Sequence, residues 1–205
     1  MTIELPHQLT WVHELCGGSW PAADEDRLFD LARSFRAFAA GLRDVDQDAN
    51  WVARDVVTNN EAPSIDAFGA LWRQAHYNHQ LAARATDLIG EMAVTTGISV
   101  QAAKITLLGI LSLTATRILR AKALAHFLPA VAADEAFRAA AAGRVATAAT
   151  LRRLQLFIEV QVATNLRAAI VQTLAQITPV DLPAAGRAPD RRDGPLVPGE
   201  AASPD

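Results

Sequence analysis

Leu28, Leu31, Phe35, Phe38, Leu42, Val45, Ala49, Val52 and Val56 recur at alternating spacings of three and four residues. That is a heptad seam, the pattern of a helix packed nearly parallel or antiparallel to another. Arg27, Asp30, Arg33, Arg36, Arg43, Asp44, Asp46 and Asp48 fill the intervening positions. Asp24, Glu25 and Asp26 put negative charge where a helix N-terminus favours it. The pattern predicts a helix over residues 24–57, about 51 Å long at a rise of 1.5 Å per residue. Residues 58–64 read Thr-Asn-Asn-Glu-Ala-Pro-Ser, a concentrated turn signal. Pro63 or Ser64 restarts the helix, with Asp66 in its first turn. Ile65, Phe68, Trp72, Ala75, His79, Ala82, Thr86 and Ile89 then repeat at three and four, beside a second stripe of Leu81, Ala85, Leu88 and Met92. The second helix runs to about Val94, roughly 46 Å. Two helices of similar length joined by a short turn form an antiparallel hairpin.

The remaining chain is organised around that hairpin. Pro6 starts a short helix carrying Leu9, Val12 and Leu15, and Gly17 and Gly18 end it. Trp20 and Pro21 form a joint. Thr95, Thr96, Gly97 and Ser99 interrupt the apolar period and predict a break. A third helix follows from about Val100 to Phe127, stopped by Pro129. Asp134 opens a fourth, alanine-rich and then apolar as far as Ile177, with Gly143 as a place for a kink. Pro179 and Pro183 close it. The expectation is an all-α, elongated helical bundle: a long hairpin plus two further long helices. Its regions are 1–96 (short helix and hairpin), 97–182 (apolar, alanine-rich helices packed on it) and 183–205 (disordered tail or linker).

Charge divides along the same line. Residues 1–97 carry 14 acidic and 7 basic side chains, and residues 98–182 carry 4 acidic and 9 basic. The halves are either two solvated faces of one unit, or the basic half meets an anionic surface. The uncharged stretch from Ile105 to Thr116 is twelve residues, whereas a spanning helix needs about 20, so a buried bundle helix is expected there. Residues 1–15 lack the basic and apolar regions of a Sec-type signal peptide. The single cysteine, Cys16, excludes an internal disulfide framework and a cysteine-based zinc site. Beside two glycines it is expected to be a small buried residue.

Few residues suggest chemistry. His76 and His79 lie three apart on one helix, but no Cys or nearby Glu completes a metal set, and His79 falls on the apolar stripe. His79 is expected to be a satisfied core histidine, and no metal and no cofactor are expected. Asp44, Asp46 and Asp48 alternate and lack the glycine and distal Glu of a calcium loop, so a solvated helix face is expected. There is no phosphate-binding glycine loop, nucleophile elbow or dinucleotide fingerprint, and no catalytic residue is assigned. Arg152 and Arg153 are an isolated pair in a chain of pI near 5.9, which argues against nucleic-acid binding. Phe68 and Trp72 are expected in the core. Phe29 and Trp51 lie off the heptad seam, to pack within the chain or face a partner, and Trp51 is the candidate partner contact.

The stretch Ser64-Ile65-Asp66-Ala67-Phe68-Gly69-Ala70-Leu71-Trp72 resembles the second helix of the Trp-x-Gly family, the ESAT-type helical hairpins of type VII secretion. Leu5-Pro6-His7 through Trp11, and Trp20-Pro21 with Asp24-Glu25-Asp26, look closer to one branch, the N-terminal domain of CpnT-like actinobacterial channel-forming and polymorphic toxins. The motif positions that carry the resemblance are Trp20, Pro21, Asp24, Asn60, Pro63, Phe68 and Trp72. Asn59-Asn60-Glu61 with Pro63 stands in place of the Trp-x-Gly turn. The family's Tyr-x-x-x-Asp/Glu export motif is unmatched, because Leu81 follows Tyr77 by four. The resemblance implies a non-catalytic targeting and docking domain of a secreted effector. It implies export or envelope location without a Sec signal, type VII machinery as a partner, and pairing with another hairpin or with itself. Alternatives are a membrane-active protein acting through 98–182 and a cytoplasmic helical interaction protein.

Overall fold

The computed structural model describes residues 2–177, so the expected tail at 183–205 lies outside the described residues. Within them the chain is helical, without strands. A 3₁₀ turn at His7–Leu9 leads into α1, Thr10–Cys16. α2 spans Glu25–Asn59, α3 Pro63–Leu124 and α4 Pro129–Phe157. A π-helical segment, Ile158–Thr164, joins α4 to α5, Asn165–Gln176.

α2 and α3 form the expected antiparallel hairpin. Asp24 caps α2, its carboxylate accepting from Arg27 N–H at 3.2 Å. Pro63 occupies the first turn of α3, where a missing N–H leaves nothing unpaired.

The expected break at 95–99 is absent. α3 runs through it for 62 residues, about 93 Å, so the division placed between 96 and 97 falls inside one helix. The hydroxyls of Thr95, Thr96 and Ser99 do not compete with the helix. They donate back to the carbonyls of Glu91, Met92 and Thr95 at 2.8–2.9 Å. Gly97 is there for space: a Cβ on it would lie 2.9 Å from the Phe29 ring.

α3 is therefore a spine shared by both halves. Its first part pairs with α2. Its later part pairs with α4, which begins at Pro129 rather than Asp134. α4 runs through Gly143 without a break. The glycine is a point of close approach, where a Cβ would meet Cys16 Sγ at 2.7 Å and Thr114 Oγ1 at 2.8 Å. α1 fills the angle between α3 and α4, where Val12 and Cys16 form a buried cluster with Leu111 and Ala115, covered by Leu5, Leu9 and Trp20. Cys16 is buried, as expected. Burial pushes its thiol above the ordinary range, the opposite of what a nucleophile needs.

Candidate interaction surface

The hairpin closes on small residues. The buried positions of α2 are Glu25, Ala32, Ala39, Asp46 and Ala53, one every seven residues. α3 answers with Ala83, Gly90, Gly97 and Lys104, again seven apart and buried. A Cβ at Gly90 would lie 3.3 Å from the Ala32 carbonyl oxygen, which shows how near the backbones come.

The large-residue seam splits around this stripe. Leu28, Phe35, Leu42, Ala49 and Val56 flank it and are half-buried. Leu31, Phe38, Val45 and Val52 are 46, 60, 69 and 54% exposed, a second row seven apart that none of the described residues covers. Of the off-seam aromatics, Phe29 packs on Gly97 within the chain, whereas Trp51 is 72% exposed.

Polar contacts set the register of the two helices. Asp46 belongs to the buried stripe, which corrects its expected place on a solvated face; Asp44 and Asp48 are exposed. Alternation spreads three such residues over different sides of a helix, and only the middle one meets α3. Its carboxylate lies 2.7 Å from His76 Nδ1 and 3.0 Å from His79 Nδ1. His79 is thus satisfied, but half-exposed rather than core. Among the described residues no three His, Cys, Asp or Glu side chains are arranged to hold a metal ion. Trp72 Nε1 donates to Asn50 Oδ1 at 3.0 Å, and Arg43 pairs with Asp87. At the far end Lys104, fully buried, donates to Glu25 Oε2 at 3.0 Å and to the Ala23 carbonyl at 2.8 Å. That contact fixes the start of α2 against the middle of α3.

The motif positions fall in two groups. Trp20, Pro21 and Asp24 belong to the strap that ties the N-terminus to the bundle. Trp20 lies edge-on to His13 and packs on the Val12 cluster. Pro21 borders a shallow groove with Leu151, Leu154 and Ile158. Asp24 accepts from the Thr2 hydroxyl at 2.8 Å, and this bond, with the Arg27 N–H, holds its carboxyl below the ordinary value. Asn60, Pro63, Phe68 and Trp72 belong to the hairpin turn and its first contacts. Asn60 donates to the Val56 carbonyl at 2.8 Å. Phe68 is only partly covered, and Trp72 is half-buried, so neither is a fully buried core residue. The heptad showed the period but not the row that faces α3, and the Asp46 and Lys104 contacts carried no signal in the sequence.

The chain matches the WXG100-like domain family over residues 2–147, and it belongs to that family. It is a helical protein related to type VII secretion, and hairpin dimers are typical of the family. Comparison with curated proteins and with solved structures gives no match.

Proposed function

We propose that this chain is the non-catalytic targeting and docking domain of a type VII-secreted effector, and that it pairs with another helical hairpin or with a second copy of itself. The exposed row Leu31, Phe38, Val45 and Val52 is the observation that carries this reading. It continues the heptad geometry of the hairpin but has no partner helix among the described residues, and a helical protein exposes such a row when another helix covers it. Trp51, which points away from α3, is a further contact for the partner. Family membership supports a signal-peptide-independent route to the envelope or exterior. The strap around Trp20, Pro21 and Asp24 supports kinship with the CpnT-like branch, in which a toxin follows this domain.

Two measurements test the proposal. Gel filtration and co-purification with a neighbouring hairpin protein should show a complex that Phe38→Asp with Val45→Asp abolishes. Culture filtrate should contain the protein only when the secretion machinery is intact. Equal amounts with and without the machinery overturn the export reading. A monomer that binds no hairpin protein overturns the pairing.

A further inference from the structure

The end of the molecule away from the α2–α3 turn is built differently from the rest. Here α3 turns into α4 through residues 125–128, and large apolar side chains crowd the turn with none of the described residues over them. Phe127 is 82% exposed, and Leu119, Leu124, Leu128 and Val131 stand out beside it. Residues 123–133 contain no Asp, Glu, Lys or Arg. Around this cap sit Arg117, Arg120, Lys122 and Arg138, all exposed, against Asp134 and Glu135. Arg138 holds Asp134 at 2.8 Å. The surplus is positive here, whereas residues 1–97 carry twice as many acidic as basic side chains.

We propose that this tip is a shallow anchor for an anionic lipid surface, seating Phe127 and its apolar neighbours at the acyl boundary while the four basic residues meet the headgroups. Two features favour a bilayer. Three of its backbone donors are satisfied from within: Ala125 N–H donates to the Ala121 carbonyl, and the Phe127 and Leu128 N–H groups donate to that of Leu124, at 2.9–3.1 Å. Entry into an apolar layer therefore strands none of these donors. Charge complementarity selects anionic headgroups. Residues 123–133 are by themselves too short to span, since about 20 residues are needed; α3 and the α4–α5 run each hold a window long and apolar enough to cross a membrane by length and composition, and the contact proposed here is the interfacial one at the turn between them. This inference does not depend on the pairing row of α2.

The test is co-sedimentation of the full chain with vesicles of equal phosphatidylglycerol and phosphatidylcholine, and with phosphatidylcholine alone, at low salt. Binding is expected to the anionic vesicles and to be weaker by about tenfold or more to the neutral ones. Phe127→Ser should weaken it by about tenfold while leaving urea unfolding unchanged. Arg120→Glu with Lys122→Glu should remove the preference for anionic vesicles. A polarity-sensitive dye on His126→Cys should shift to the blue with anionic vesicles. Phe38→Asp should bind vesicles like the parent chain. The proposal is overturned by no binding at low salt, by undiminished binding of Phe127→Ser, or by a dye that does not shift. It is equally overturned if Phe127→Ser instead dissociates a dimer in gel filtration, which would make a second copy the occupant.

Discussion

Lys104 carries its ammonium group where water does not reach, and its partners are the Glu25 carboxylate and the Ala23 carbonyl. Removing one member of such a pair leaves the other charge buried and alone, at a cost of about 3–5 kcal/mol. Lys104→Met should lower stability to urea by that order, and Lys104→Met with Glu25→Gln should recover much of it. Asp24 gives a pH signature. Its carboxyl is held below its ordinary 3.8, first by the Thr2 hydroxyl and then by the Arg27 N–H. A group depressed in the folded state contributes above its unfolded value and loses that contribution as pH falls through the folded one. Helix content followed as pH falls below the ordinary 3.8 should drop less steeply in Asp24→Asn than in the parent chain. Asp24 was legible in the sequence because capping is local. Asp46 and Lys104 were not, because their partners lie 33 and 79 positions away. Nothing local distinguishes Asp46 from Asp44 or Asp48.

At the level of the helix, period and face are separate questions. A repeat of seven in α2 is written twice, once in large residues and once in small ones. The large row announces a helix with a partner, and α2 has one in α3. The row against α3 is decided by what α3 presents, and α3 presents Ala83, Gly90 and Gly97. Small residues on both sides let the backbones approach, which pushes the large row to the flank and leaves half of it outside. Phe38→Asp with Val45→Asp should therefore change unfolding free energy by only about 0.5 kcal/mol, while abolishing the hairpin complex on gel filtration. The same lesson holds for α3. Threonine, serine and glycine at 95–99 look like a helix end by propensity. Back-donating hydroxyls and the ring of Phe29 make the run an uninterrupted helix.

The whole molecule follows from α3. The all-helical class was legible because period, turn and caps agreed along the chain. The shared spine was not, since a hairpin and a following bundle looked like consecutive units. A proline in the middle of α3 tests whether the two ends act as one body. Gly97→Pro removes a backbone donor and should cost about 3 kcal/mol or more, and limited proteolysis should then cut near residue 97, where the parent chain resists.

A continuous helix of 62 residues is also a ruler. It separates the α2–α3 turn from the Phe127 tip by about 90 Å, and a continuous hydrogen-bonded rod resists shortening. If, as proposed, a partner hairpin grips α2 and a bilayer touches the tip, the two are held at a set standoff and orientation. Deleting seven residues within α3 would draw the two together by about 10 Å while preserving the heptad face.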